Sequence, residues 1–453
     1  MDKILPIIKN NLFVQKKKNF VLCVDKVKIK SANLKINGYK HSMVQIIAYA
    51  IASNQKTCII KPPMVTDTFV FCSIINSLGG TARISGKKLF IDPTNINISE
   101  IPANLSELIH GSLYLMPALI AKVRSFKFFS AGGCKIGDNG SRPFEHILKT
   151  MAIFGVNIKN SENSIIGQVD CLNDEVVIDI MQFSNSKTQL SGPLVGGATK
   201  TAILLSSKCK KVTILNPFYK LDVLDLINFM KQIGKTVIIS ENKIEIINGV
   251  QKNIIQKFKL TQCISEIMTY ITLAVLNNIT IKFKNLNKNN IQFSLNSEIE
   301  YLKQMNVNLI WDNNDLIVCN QTAIKPITID VLPNTIMSDS HPFFALICLN
   351  ATDKSKITEY VWDKRFMYVD NLKALGASIN HQKNYVIITP SKLQKKDVVL
   401  KGKDVRTSAV TLIAGITSCS NLQMIDFEHI FRGYDNLVKN MKKLGVTLSL
   451  KEI

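Results

Sequence analysis

Apolar residues recur along the chain with two different periods, and the switch from one to the other repeats six times. In each copy, apolar positions three and four residues apart mark one face of a helix, and an alternating run then marks a strand. The predicted helices end at Leu78-Gly79, Phe154-Gly155, Ile233-Gly234, Met305-Asn306, Leu375-Gly376 and Leu444-Gly445, about 70 to 80 residues apart. Glycine, or asparagine in the fourth copy, suits the left-handed backbone position that closes a helix. In the third copy Leu226, Phe229, Met230 and Ile233 share a helix face, and Thr236–Ile239 and Ile244–Ile247 flank a polar turn as a hairpin. Copies one, four and five repeat this with turns at Ser85–Lys88, Asp312–Asp315 and His381–Asn384.

One such unit cannot bury both its helix and its strands, so units must pack on one another, and six of them predict two lobes of three. Residues 39–255 are expected to form the first lobe. Residues 1–38 and 256–453 form the second, which is discontinuous because Phe20–Val24 reads as a strand able to complete it. Lys252–Lys259, rich in Lys and Gln, is the expected connection between lobes, and a cleft between lobes is the expected substrate site.

With 453 residues, 46% hydrophobic and 20% charged, the chain can bury a large core and is far from a disordered composition. Lys and Arg outnumber Asp and Glu by 56 to 34, a formal +22. Charge of that size suggests a polyanionic partner, yet the lysines are scattered among Asn and Ile, and Lys16–Lys18 is the one sizeable basic cluster. A compositional bias explains the charge better than nucleic-acid binding does. The ten cysteines form no C-x-x-C pair, which excludes a zinc ribbon and a disulfide scaffold and fits a reducing compartment. No apolar run reaches the roughly 18 residues of a membrane span, and Met1–Ile4 lacks the order of a signal peptide. The expectation is a soluble, cytoplasmic protein with no membrane insertion.

Three segments carry candidate chemistry. Ala131–Pro143 holds four glycines with Cys134, Lys135 and Arg142. It reads either as a mobile lid whose cations favour a reactive thiolate or as a surface hairpin with an incidental cysteine. Leu190–Thr199 is a glycine-rich turn before an apolar run; a helix opened by Thr199 or its neighbours would offer backbone N–H groups to a phosphate, while tight helix-on-sheet packing explains the glycines equally well. Arginine is scarce: only Arg83, Arg124, Arg142, Arg365, Arg406 and Arg432 occur. Where lysine would serve electrostatically, a retained arginine suggests a need for its forked donors against phosphate or carboxylate.

Four motifs together resemble the enolpyruvyl transferases, and within them the UDP-N-acetylglucosamine 1-carboxyvinyltransferases of peptidoglycan synthesis. Asn37-Gly38-Tyr39-Lys40-His41 is similar to the family's entry turn; Gly132-Gly133-Cys134 with Arg142-Pro143 is similar to its mobile loop, with three extra residues before the arginine. Tyr360–Met367, with Ser338-Asp339 upstream, and Asp404-Val405-Arg406 with Phe431-Arg432-Gly433-Tyr434 complete the likeness, which runs from about Leu34 to Leu450. It implies an α/β fold, a two-lobed inside-out α/β barrel built from six repeated β-α-β-α-β-β units.

The resemblance also implies a reaction: transfer of the enolpyruvyl group of phosphoenolpyruvate to a hydroxyl of UDP-N-acetylglucosamine, with release of phosphate and with no metal or organic cofactor. Cys134 would be the acid and possible covalent partner, Asp339 the base for the sugar hydroxyl, and Lys40, Arg142, Arg406 and Arg432 the anion clamp, supported by Arg365. The nucleotide sugar would meet Arg142, Pro143, Phe144, Glu145 and His146 in the loop, Pro193, Leu194, Val195 and Gly196 in the glycine-rich turn, His41, His110, and Asp339 with Val361. The chain departs from the family at His41 (for Asn), His110 (for Arg), Val195 (for Ser) and Lys220 (for Glu). These departures leave open a different hydroxyl acceptor, and the net charge leaves open a non-catalytic polyanion-binding protein.

Overall fold

The computed structural model describes residues 20–133, 143–249, 254–319, 322–362, 364–394, 397–418 and 422–452. The candidates Cys134 and Arg142 lie outside them. The described chain divides into two compact units, one of residues 37–133 and 143–261, the other of residues 20–36 and 262–452.

In the first unit three helices, Lys40–Ser53, Leu115–Val123 and Val195–Leu205, pack on one another at the centre. Every residue from Ser42 to Ser53 is buried, as expected of a helix that is apolar on all sides. Around them lie three sheets. Gln256–Lys259, Thr57–Ile60, Lys88–Asp92 and Thr81–Ser85 form one; Ser125–Phe128, Ser164–Gln168 and Asn157–Ser161 the next; Glu175–Asp179, Lys211–Leu215, Lys243–Ile247 and Thr236–Ser240 the third. The outer helices Thr66–Ser77, Glu145–Ile153 and Leu221–Gln232 each precede a hairpin. Leu226, Phe229, Met230 and Ile233 are wholly buried, each contributing about 1.5–3 kcal/mol of hydrophobic stabilisation.

The second unit repeats the scheme with central helices Ile264–Leu276, His341–Cys348 and Val405–Ser418 and outer helices Asn296–Gln304, Val369–Ala374 and Leu437–Lys443. Its last hairpin is split. Val446–Glu452 pairs antiparallel with Phe20–Val27, which also pairs with Leu422–Ile425, and Ala32–Leu34 lies parallel to Ile281–Phe283. The residues that follow the six helix ends all have positive φ, from +70° at Asn306 to +96° at Gly234. At Gly445 a Cβ would also overlap the Lys28 carbonyl, so this glycine answers to both conformation and close approach.

The segment expected to connect the lobes behaves otherwise. Gln256–Lys259 is a strand parallel to Thr57–Ile60, with Phe258 buried between exposed Lys257 and Lys259, so the first unit continues past residue 255 to Thr261. Its polar composition concealed a strand that needs only one inward side chain to hold its place. Among the described residues, no helix is long and apolar enough to cross a membrane.

Candidate active site

In the first unit the entry turn leads directly into a central helix. Gly38 packs against Leu260, where a Cβ would come within 2.8 Å, and Tyr39 N–H donates to the Thr261 carbonyl at 2.8 Å. This anchoring fixes Lys40 as the first residue of its helix. Lys40 Nζ lies 3.0 Å from Asp67 Oδ1, on the first turn of Thr66–Ser77, and both side chains are largely buried. His41 is half-buried, its ring 5.0 Å from that of Tyr39.

The stem of the glycine loop is tied down. Gly132 N–H donates to the Ser106 carbonyl at 3.1 Å; a Cβ on Gly132 would overlap the Glu107 carbonyl, and one on Gly133 would come 2.8 Å from His110 Cβ. These two glycines therefore serve close packing against residues 106–110. His110 opens the short helix His110–Tyr114 and is half-buried. Beyond the loop, half-buried Pro143 and Phe144 lead into Glu145–Ile153, where Glu145 is exposed and His146 buried.

His146 meets the glycine-rich turn. A Cβ on Gly197 would overlap His146 Nε2, so only glycine lets the helix pass the imidazole. Burial first, and then the Lys200 charge, push the His146 pKa down to about 4, and its buried Nδ1 makes no hydrogen bond among the described residues. The helix opens at Val195, not Thr199, with Pro193 and Leu194 just before it; Val195 is buried and Gly196 packs on the Phe218 ring. Thr199 is one turn inside, where its hydroxyl donates to the Val195 carbonyl at 2.9 Å and accepts from Phe218 N–H at 3.1 Å. Its β-hydroxyl has found local backbone partners, which is why it does not cap the helix.

At the next residue, Lys200 Nζ lies 2.9 Å from Asp222 Oδ2 and 4.9 Å from the Tyr114 ring centre. Burial opposes both charges, but each outweighs it for the other: Asp222 and Tyr114 hold Lys200 above the ordinary lysine range, while Lys200, His41 and Lys220 hold Asp222 below the ordinary carboxylate range. Lys220 itself is exposed, with Nζ 4.7 Å from the Phe218 ring centre.

The second unit gathers the other candidates around one carboxylate. Asp339 receives Arg365 Nη2 on Oδ1 and Arg406 Nη2 on Oδ2, the latter at 2.7 Å; the two arginines are buried, whereas Asp339 is 30% exposed. Arg365 Nε also donates to the Ser338 carbonyl at 2.9 Å. Arg406 stands on the first turn of Val405–Ser418, which Asp404 caps by accepting from Arg406 N–H and Thr407 N–H at 2.6 and 3.0 Å. Its Nη1 donates to Tyr434 Oη at 3.2 Å, and that hydroxyl shares a 2.7 Å hydrogen bond with Thr269. Arg432 is half-buried at the end of Phe427–Arg432, and the following Gly433 packs on Val405 beside the Arg406 guanidinium. Val361 N–H donates to Glu359 Oε1 at 2.7 Å. Deeper in the unit, burial and then Asp435 push the Glu266 pKa well above the carboxylate range.

The structure thus brings Asp339, Arg365 and Arg406 into direct contact, with Val361 and Arg432 on adjoining segments. It brings His146 to the 193–197 turn and pairs Lys40 with Asp67. Sequence reasoning missed Asp67, the Lys200–Asp222 pair and Glu359. Asp67, beside Thr66 at a helix start, carried the signal of an acidic first turn; a buried acid ending a strand, such as Glu359, carries none. Among the described residues, no group of three or more His, Cys, Asp or Glu side chains is placed to hold a metal ion.

Comparison with known proteins agrees over nearly the whole chain. Residues 24–441 match the family model of EPSP synthase (3-phosphoshikimate 1-carboxyvinyltransferase). A protein named UDP-N-acetylglucosamine 1-carboxyvinyltransferase 1 from Clostridium perfringens is 28% identical over 436 residues, covering 94% of this chain and 100% of its own length. UDP-N-acetylglucosamine 1-carboxyvinyltransferase 2 from Geobacillus kaustophilus is 26% identical, covering 94% and 96%. Among solved structures, the enolpyruvyl transferase NikO from Streptomyces tendae superposes with a TM-score of 0.88 at 25% identity, over 96% of this chain and 100% of that one. EPSP synthase from Acinetobacter baumannii superposes at 0.71 with 14% identity, over 96% and 100%, a likeness of fold alone.

Proposed function

The chain belongs to the EPSP synthase family, and from that premise we propose that it transfers the enolpyruvyl group of phosphoenolpyruvate to the 3-hydroxyl of UDP-N-acetylglucosamine, releasing phosphate, as a cytoplasmic step of peptidoglycan precursor synthesis. The observation that carries this reading is the half-exposed Asp339 carboxylate held between two buried guanidiniums, in a chain whose relatives over 94% of its length bear that activity in their names.

The chemistry assigns each group a task. Asp339 exchanges one guanidinium contact for the sugar hydroxyl and takes its proton as the oxygen bonds to C2 of phosphoenolpyruvate. Cys134 supplies a proton to the methylene carbon, C3. The Cys134 thiolate takes a C3 proton back from the resulting tetrahedral adduct as phosphate leaves C2, which restores both the double bond and the thiol. Lys40, Arg142, Arg406 and Arg432, supported by Arg365, hold the phosphate and carboxylate, two anions that repel one another. At an effective dielectric near 20, each cation–anion pair at about 4 Å contributes roughly 4 kcal/mol before desolvation. The nucleotide sugar is assigned to His41, His110, Pro143, Phe144, Glu145, His146, Pro193, Leu194, Val195, Gly196 and Val361.

A second reading keeps the chemistry and changes the acceptor. Lys220 supports it, because an exposed ammonium over the Phe218 ring, on which Gly196 also packs, adds positive charge near the turn assigned to the sugar. Phosphate release from phosphoenolpyruvate, assayed with UDP-N-acetylglucosamine, other nucleotides and shikimate-type acceptors, separates the two. Release only with UDP-N-acetylglucosamine, abolished by fosfomycin alkylation of Cys134, is the expected result; release only with another acceptor transfers the assignment to it, and no release with any acceptor refutes both.

A further inference from the structure

The turn that carries Asp339 is held from behind at every residue except Asp339 itself. Glu298 Oε1 accepts from Met337 N–H and Ser340 Oγ, both at 2.9 Å. Glu359 Oε2 accepts from Ser338 Oγ at 2.7 Å and pairs with His341 Nδ1 at 2.9 Å. The other Glu359 oxygen accepts from Val361 N–H at 2.7 Å and Trp362 N–H at 3.3 Å, at the start of the segment that carries Arg365. Glu359 thus grips both the Asp339 turn and the Arg365 segment. Its carboxylate is 1% exposed and His341 is wholly buried, with the imidazole packed 5.0 Å from the Phe366 ring and 5.6 Å from Tyr368.

Four donors converging on one side chain need four acceptor sites, which only a carboxylate offers. Burying a charged group costs several kcal/mol unless it is fully hydrogen-bonded, and Glu359 meets that condition only through partners outside its own strand. All four donors belong to the two segments that meet at Asp339. We propose that Glu359 is the positioning residue of the reaction: it touches neither substrate, and it sets the angle at which the Asp339 carboxylate meets the acceptor hydroxyl by locking residues 338–341 to residues 361–362. His341 serves as the rigid donor through which Glu359 reaches the base of the turn. The inference rests on the reading of Asp339 as the group that takes the hydroxyl proton.

Glu359→Gln is the test. The amide keeps the volume but turns an NH2 group toward N–H or O–H donors on one side, so one of the two segments is released. A misplacement of about 1 Å away from the substrate can cost on the order of a hundredfold. The expected result is therefore a kcat roughly 30- to 100-fold lower, with KM for both substrates within about threefold of wild type. The decisive measurement is the double-mutant cycle with Asp339→Asn. If Glu359 acts through Asp339, the double variant turns over no more slowly than Asp339→Asn alone; a purely structural role gives multiplicative losses. Should Glu359→Gln fail to fold, Ser338→Ala and His341→Gln, which each alter one donor to the same carboxylate, are put through the same cycle with the same expectation. Multiplicative losses, or Glu359→Gln turnover near wild type while Asp339→Asn is inactive, overturn the positioning role alone. Full turnover by Asp339→Asn overturns the proton-acceptor assignment, and the positioning role with it.

Discussion

Replacing Asp222 by Asn tests how the first unit tolerates ionised groups beside its glycine-rich turn. Lys200 Nζ sits 2.9 Å from Asp222 Oδ2, with the side chains 13% and 5% exposed. At an effective dielectric of about 20, unit charges that close attract by roughly 6 kcal/mol before desolvation is counted. Asparagine keeps the shape and an acceptor oxygen, so the change removes the charge and leaves a buried ammonium against the Tyr114 ring. Breaking buried pairs in this way costs about 3–5 kcal/mol. For a folding unit of 150–250 residues each kcal/mol lowers the melting temperature by about 2–4 °C, giving a fall of roughly 6–20 °C. Lys200→Met costs less, because the His41 and Lys220 charges still act on Asp222, and Lys200→Met/Asp222→Asn recovers part of the loss. Thermal unfolding followed by circular dichroism measures all three. The sign with pH also follows: Asp222 has a lowered folded pKa, so its stabilisation is complete above the unfolded value near 4 and vanishes only as pH falls through the folded one. The gap between wild type and Asp222→Asn should narrow as pH falls below about 4. An Asp222→Asn protein melting within about 2 °C of wild type, or single-variant losses that simply add, would refute the reasoning.

Arg406→Lys keeps the charge but offers one nitrogen where Asp339 and Tyr434 are met by two, at 2.7 and 3.2 Å. Losing one charged hydrogen bond, about 1.5–3 kcal/mol, lowers kcat/KM about 10- to 100-fold in the phosphate-release assay; a loss under twofold would show that the fork is not used. His146, whose pKa is pushed down to about 4, takes up its proton in the unfolded chain near 6.5 but not in the folded one. The unfolded state thus binds more protons between about pH 4 and 6.5, and stability falls as pH drops through that window, by roughly 3 kcal/mol in all. His146→Gln should flatten this part of the stability–pH curve, and an unchanged slope in urea titrations at pH 4.5 and 6.5 would contradict the shift.

The six-fold repeat was legible because it depends on local rules: an apolar face, a left-handed closing residue and an alternating hairpin read correctly without knowledge of their neighbours. The strand Gln256–Lys259 was not, since its one buried residue, Phe258, makes sense only against Thr57–Ile60, some 200 residues earlier in the chain. The same distinction divides the candidate site. Asp339, Arg365 and Arg406 could be named from short motifs, but which carboxylate meets which guanidinium depends on backbone turns far apart in sequence. Glu359 is the clearest loss. Its sequence neighbours, Ile357 and Thr358, read as strand, and nothing in Ser355–Glu359 distinguishes a buried acid with four donors from an exposed one.

The few arginines occupy unlike structural settings. Arg83 lies over the Phe90 ring at 5.0 Å, and Arg124 closes a helix at φ +64°; neither is among the candidate site residues, so rarity alone does not mark a site. Arg365 and Arg406 differ because each divides its guanidinium between two acceptors in different directions. Arg365 joins the Ser338 carbonyl to Asp339, and Arg406 joins Asp339 to Tyr434. An ammonium can be drawn fully to one acceptor and abandon the other, whereas a planar fork holds both at fixed angles. The lysines near the candidate positions instead set a compact ammonium against a carboxylate, Lys40 on Asp67 and Lys200 on Asp222. In this lysine-biased chain the two arginines at Asp339 thus stand where one cation organises two partners, and that arrangement fixes the orientation of the Asp339 carboxylate.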